Sequence, residues 1–198
     1  MQRTRTIILL SVILGIFASQ SGTISSSASA APTEAVTIHG ADAQTAELIE
    51  RSVARFAEAG LELPNIEFFV HDDTDQSDCN GHEGFWRPGS GADRIDICVA
   101  GEFLILHELG HAFEHHSVDD TTRLAFMALY PGSEWQDDGA SHDSQGKERF
   151  ATVVGWGLQF DPIPEDVDAF RMNALQKKGE TFELITGVAS PRLSTATA

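Results

Sequence analysis

The residues with the clearest chemical potential are His107, Glu108 and His111, in the run HELGH at positions 107–111. On a helix, positions i and i+4 lie one turn apart on the same face, so two imidazoles at this spacing can bind one Zn²⁺ ion. The carboxylate between them can then act as the general base toward a zinc-activated water. The preceding residues 103–106 are apolar and contain no proline, which favours a helix with one side in a core. The motif therefore predicts metal-assisted hydrolysis.

A catalytic zinc site needs a third protein ligand and an open position for water. The pattern H-E-x-x-H-x-x-G-x-x-H does not apply, because its glycine and third histidine are Glu114 and Ser117 here. Glu114 shares the face of His107 but lies about 10 Å further along the helix axis. We therefore expect Glu114 to form a salt bridge or a supporting contact. We expect His115 and His116 to interact with the negative end of the helix dipole.

A carboxylate from a later helix can complete the site. We favour Glu148, because small residues at 151, 152 and 155 share a helical face and would let its helix approach the motif helix closely. Glu134, beside a Pro-Gly loop, is the main alternative. The remaining candidates are Asp137, Asp138 and His142.

The first thirty residues have the pattern of a secretory signal peptide. Arg3 and Arg5 precede an apolar run at 7–18 that is too short to span a bilayer, and Ala28 and Ala30 are the small side chains expected before a cleavage site. We predict a signal peptide at 1–30 and one domain at 31–198. The mature protein is then secreted, extracellular and free of the membrane.

The charge of the chain excludes some partners. Its formal net charge is −17, with 30 acidic and 13 basic residues, and removing Arg3 and Arg5 makes the mature charge about −19. Such a surface repels nucleic acid and anionic membranes. We expect a monomer that acts on a peptide or protein substrate.

Two cysteines, Cys79 and Cys98, predict one disulfide in an oxidising compartment. The alternative is that Cys79 and His82 form a C-x-x-H metal pair. The acidic residues 72–78 also allow two interpretations. A calcium site would use Asp73, Asp75 and Ser77, but the turn glycine is missing, and we favour a solvated loop.

The pattern of elements predicts an α+β fold. A helix is expected at 42–60, strands at 66–70 and 94–99, a short helix capped by Asp119 or Asp120, a helix at 147–160 and a last helix from Pro164. This order predicts a small twisted sheet packed on the motif helix, with a helical C-terminal part across a cleft.

The motif and the later ERFA run at 148–151 resemble the zincin metallopeptidases, in particular small gluzincin-like proteins in which HELGH is followed by a helix with E-x-x-A. The resemblance implies that His107, His111 and Glu148 bind zinc and that Glu108 is the general base. It also implies that the strand at 94–99 is the edge along which substrate lies.

Together these features predict a secreted zinc metallopeptidase. Tyr130, His142 and Arg149 are candidates for stabilising the oxyanion that forms during hydrolysis. The alternative is a secreted zincin-fold module that binds or inhibits a partner without turnover.

Overall fold

The computed structural model describes residues 36–71, 78–79, 81–131, 134–135, 145–161 and 169–194. These residues belong to one compact unit, Pro32–Ala198. The predicted signal peptide, the calcium candidates Asp73, Asp75 and Ser77, and the ligand candidates Asp137, Asp138 and His142 lie outside the described residues.

The described part of the chain is a mixture of helices and strands, as the sequence predicts. The strands are β1 (Val36–His39), β2 (Ile66–Val70), β3 (Gly84–Arg87) and β4 (Asp93–Ile97). The helices are α1 (Ala43–Glu58), α2 (Glu102–Ser117), α3 (Asp120–Met127), α4 (Gly146–Leu158), α5 (Ala169–Thr186) and α6 (Pro191–Ser194). The motif lies in α2. The prediction of an α+β architecture is confirmed.

The strands form one sheet in the order β1-β2-β4-β3. β1, β2 and β4 are parallel, and β3 runs antiparallel to β4 with Trp86 opposite Ile95. The prediction that residues 94–99 form the sheet edge is therefore wrong. Residues 84–87, for which the sequence predicts no strand, pair with β4 and cover it, so that β3 is the edge strand beside α2.

The sheet packs on α1 and α2 through its alternate apolar residues. Successive side chains on a strand point to opposite faces, so every second residue of β2 and β4 lies on the face toward the helices. The fully buried residues of this face are Ile66, Phe68, Ile95 and Ile97. They share a core with fully buried residues of the two helices: Ile49, Phe56, Ile105, Leu106 and Leu109. The motif helix is thereby fixed against the sheet.

A buried carboxylate ties the other face of the sheet together. Asp96 of β4 accepts hydrogen bonds from Arg94 Nε at 2.9 Å and from Arg87, and it lies 2.7 Å from His71 Nε2. Burial raises the pKa of Asp96, but these partners outweigh that effect and lower the pKa to about 2. This face of the sheet is held by charge rather than by apolar packing.

Residues at the helix ends set where α1 and α3 begin and where α1 ends. The side chain of Asp42 caps α1 by accepting the Thr45 N–H at 2.8 Å, and Asp119 caps α3 by accepting the Thr122 N–H at 2.8 Å. α1 is followed by Gly60 in the left-handed region at φ +71°. No helix in the described ranges is both long and apolar enough to cross a membrane.

Cys79 and Cys98 form the predicted disulfide. It links the segment before β3 to the residue that follows β4. Because Cys79 is used in this bond, the alternative metal pair of Cys79 and His82 is wrong.

Candidate metal centre

The site is built where α2 and α4 pack with little between them. A Cβ added at Gly110 of α2 would lie 3.1 Å from the Cα of Ala151, and one added at Gly155 of α4 would lie 3.1 Å from the backbone nitrogen of His107. Both distances are shorter than ordinary contact, so glycine at these positions favours the close approach of the two helices. The small face expected on the later helix is therefore the face that meets α2, and it brings Glu148 to the motif.

Three buried side chains converge between these helices. The Nε2 atoms of His107 and His111 lie 3.2 and 3.1 Å from the same oxygen, Oε2 of Glu148. One ligand atom from each residue lies within 4.8 Å of the other two. The structure thus brings together the three residues that the sequence predicts as metal ligands, and this buried His-His-Glu group could hold a metal ion.

Glu134, the alternative third ligand, is not part of this group. It is exposed, and its backbone carbonyl accepts the N–H of Gly146 at 2.9 Å before α4 begins. In the described part of the chain, Glu134 therefore contributes a backbone hydrogen bond at the start of α4.

The donor chemistry of the group fits a cation. Burial lowers the pKa of His111, which favours the neutral imidazole with a lone pair for a metal. Nδ1 of His107 lies 3.4 Å from the hydroxyl of Thr152, which can accept its proton and leave the Nε2 lone pair directed at Glu148. Two imidazole nitrogens and one carboxylate oxygen are a common set of ligands for a divalent metal ion.

Glu108 occupies a buried position between α2 and the edge strand β3. Burial raises its pKa to about 7, and the charge of Glu148 acts in the same direction, whereas the charge of His107 and a hydrogen bond from the backbone N–H of Trp86 oppose it. A Cβ added at Gly84 of β3 would lie 2.9 Å from the Glu108 carboxylate oxygen. Glycine at this position therefore leaves room for the carboxylate.

Trp86 also supports the site with its side chain, through a contact that the sequence did not reveal. Its ring stacks on His111 at a centroid distance of 6.1 Å. Its indole N–H donates to Asp93 at 2.8 Å, and this buried carboxylate also accepts the Gly89 N–H and contacts His116 Nε2 at 3.0 Å. The sequence gives little indication of this contact, because it depends on the pairing of β4, which Asp93 begins, with β3, for which the sequence predicts no strand.

The other polar residues at the end of α2 lie outside the His-His-Glu group. Glu114 forms an ion pair with Arg123 of α3 at 2.5 Å, which confirms the predicted salt bridge. The ring of His115 tilts against Trp86 at 5.2 Å. These contacts join the end of the motif helix to its neighbours.

A cleft of about 890 Å³ opens beside the buried group and includes His107, Glu108 and Glu148 in its lining. Its apolar lining residues are Val99, Phe103, Leu104 and Val153. Tyr130 and Arg149, two of the predicted oxyanion candidates, also line it, whereas His142 lies outside the described residues. A group of titratable side chains thus faces a cavity of the size that ligands occupy.

The function of the cleft has to be inferred from these residues. Comparisons with protein-family models, with curated proteins and with solved structures found no match for this chain.

Proposed function

We propose that this chain is a secreted zinc-dependent metallopeptidase with a zincin-like active site. The observation that carries the proposal is the convergence of His107, His111 and Glu148 between α2 and α4, next to the buried Glu108 and an open cleft. Two histidines with one carboxylate, and a glutamate inside the motif, are the residues that zinc-assisted hydrolysis requires.

Zinc is the ion that this group suits best. Imidazole nitrogens and a carboxylate oxygen are common zinc ligands, and three protein ligands leave one position open for chemistry. When bound, zinc would polarise the scissile carbonyl and lower the pKa of a coordinated water toward neutrality.

Glu108 is proposed to move the proton. Its carboxylate takes a proton from the attacking water and gives it to the nitrogen of the leaving amine. A general base works best when its pKa lies near the working pH, and burial places the pKa of Glu108 at about 7. The N–H of Trp86 donates a hydrogen bond to the carboxylate, and the absence of a side chain at Gly84 leaves room for it.

A peptide is the substrate that the surroundings favour. β3 is at the edge of the sheet and contributes Gly84 to the cleft lining, so an extended peptide can lie along it by adding backbone hydrogen bonds. Phe103 is 40% exposed and offers an apolar contact in the same cleft. Tyr130, which lines the same cleft, is the proposed donor to the oxyanion.

Secretion is part of the proposal and has separate support. The Cys79–Cys98 disulfide is the type of bond that persists in exported proteins, and it agrees with the signal peptide predicted at 1–30.

The test is the substitution Glu108→Gln, with hydrolysis of a random peptide library and bound zinc measured on the same sample. Loss of a general base lowers turnover by about 10²–10⁴-fold, whereas the zinc content should stay unchanged. Glu50→Gln, an exposed glutamate on α1, is the matched control and should behave as the unsubstituted protein. If the unsubstituted, zinc-loaded protein cleaves no peptide, or if Glu108→Gln cleaves as well as the control, the proposal is wrong.

A further inference from the structure

Two basic side chains line the cleft of this acidic protein, and neither forms an ion pair with a carboxylate that the structure describes. Residues from α4 and α5 contribute Arg149 and Lys178 to the lining. The formal net charge of the chain is −17, so basic residues are outnumbered more than two to one. Two cations in one cleft are therefore unexpected.

Elsewhere in the described ranges, most arginines are paired with carboxylates, whereas Arg192 donates to the side chain of Gln159 and to the Trp156 carbonyl. Five arginines have a carboxylate partner: Arg51, Arg55, Arg87, Arg94 and Arg123. In the same ranges, Arg149 and Lys178 have none. No carboxylate that the structure describes forms an ion pair with either cation.

Aromatic rings hold both cations in place. The guanidinium of Arg149 lies 5.1 Å from the ring centre of Tyr130, and the ammonium of Lys178 lies 5.3 Å from that of Trp156. Stacking of this kind fixes a cation without neutralising it. A charged group that is fixed before binding loses little freedom when a ligand arrives.

Both cations are partly withdrawn from water and lack an anionic hydrogen-bond partner among the described residues. Nε of Arg149 is buried and has no hydrogen-bond partner in the part of the chain that the structure describes. Burial also lowers the pKa of Lys178, so its ammonium lacks some of the hydration that it would have at the surface. A carboxylate in the cleft would accept hydrogen bonds from the ammonium of Lys178 and from the terminal nitrogens of the Arg149 guanidinium, because the buried Nε is not accessible to a ligand.

Four carboxylates also line the cleft, and three of them have partners; Glu108 accepts the backbone N–H of Trp86. Glu148 contacts the two imidazoles, and Glu102 accepts the backbone N–H of Phe160. Glu83 comes from the segment before β3 rather than from α4 or α5. The α4 and α5 side of the lining is therefore the part that would attract an anion.

We infer that Arg149 and Lys178 bind a carboxylate of the substrate, so that the cleft selects peptides with an acidic side chain or a free C-terminal carboxylate near the scissile bond. This inference rests on the proposed peptidase function for its substrate class. An acidic side chain and a chain terminus present the same chemistry to these cations, and the experiment separates the two sources.

The experiment uses a set of quenched fluorescent peptides with no other charge. One Glu is moved through each position and compared with Gln, and each peptide is made with a free or an amidated C-terminus. Cleavage by the folded, zinc-loaded protein gives kcat/KM, and binding of the same peptides to the Glu108→Gln variant gives Kd. We expect a preference of roughly tenfold for Glu over Gln at one position, or for the free acid over the amide.

The substituted proteins assign this preference to the two cations. Lys178→Met keeps the aliphatic stem beside Trp156 but removes the charge, and it should reduce the preference to below about threefold. Lys178→Arg should keep the preference for the acidic peptide. Arg149→Gln should reduce this preference as Lys178→Met does. Lys177→Met, an exposed neighbour on α5 that does not line the cleft, is the control and should keep the preference.

The outcomes separate this inference from the proposed function. Equal use of all the peptides, or a preference that persists in both Lys178→Met and Arg149→Gln, overturns the inference while leaving the peptidase intact. If no peptide is cleaved but the acidic ones bind more tightly through Lys178, the peptidase proposal fails and the carboxylate site stands.

Discussion

The substitution Gly84→Ala adds one methyl group next to Glu108 and tests whether the position of that carboxylate matters for activity. The Cβ of Gly84→Ala would lie 2.9 Å from Oε1 and 3.1 Å from Cγ of Glu108. Ordinary contact begins at 3.4 Å, so the oxygen has to move by about 0.5 Å. The three nearest atoms belong to Glu108 and Leu104, so the proposed metal ligands His107, His111 and Glu148 should be undisturbed.

The size of the effect follows from that displacement. A misplacement of about 1 Å in a reacting group can cost on the order of 100-fold in rate. Half of that displacement predicts a loss of about tenfold in kcat, which corresponds to about 1.4 kcal/mol in the activation free energy. The loss should appear in kcat with zinc affinity unchanged.

The assay measures peptide cleavage, zinc affinity and thermal unfolding for Gly84→Ala and a matched control. Gly91→Ala is that control, because Gly91 lies between β3 and β4 and an added Cβ there meets nothing within 4 Å. The control should keep full activity. If Gly84→Ala is folded, binds zinc and cleaves within twofold of the control, Glu108 does not act from the position described.

Three further predictions concern the metal, the sheet and the disulfide. Glu148→Ala should weaken zinc binding at least about 100-fold in a competitive titration, since even a residue that only supports a ligand contributes 10–100-fold; Glu134→Ala should leave it unchanged, and the opposite result would make Glu134 the ligand. The pKa of Asp96 falls from 3.8 to about 2 on folding, so its contribution of about 2 kcal/mol is present above pH 4 and is lost as the pH falls from about 4 to 2. Denaturant melts should therefore show Asp96→Asn less stable at pH 7 and less sensitive to pH in that acid range; equal acid sensitivity of the two proteins would contradict the assigned pKa. Replacing Cys79 and Cys98 together with serine should remove about 3 kcal/mol from the free energy of unfolding, and an unchanged urea midpoint would show that the bond does not stabilise the fold.

The elements that the sequence predicted well are those set by local pattern. The apolar run before HELGH predicts α2, and Asp42 and Gly60 bracket α1 because a cap and a left-handed glycine act within a few residues. Glu148 was favoured over Glu134 by the small residues on its helical face, and that face packs on α2.

The elements that the sequence missed depend on distant partners. β3 lies in a stretch rich in glycine, and its four residues are a strand only because β4 offers a free edge. β1 is equally short and pairs with β2 across α1. The hydrogen bond from Trp86 to Asp93 depends on the turn between β3 and β4, so no spacing rule along one helix could reveal it.

The polar residues buried on α2 are not all explained by their contribution to folding stability. Glu108, His111 and Glu114 are all buried on one helix, and burial of ionisable groups is unfavourable unless each has a partner. Glu114 has Arg123, which accounts for it structurally. Glu108 instead has the backbone N–H of Trp86 and the charge of His107, and these do not offset burial and the charge of Glu148, so its pKa is raised to about 7. Burial of an ionisable side chain is unfavourable for the fold, and the proposed role of Glu108 in proton transfer would account for a glutamate at this position.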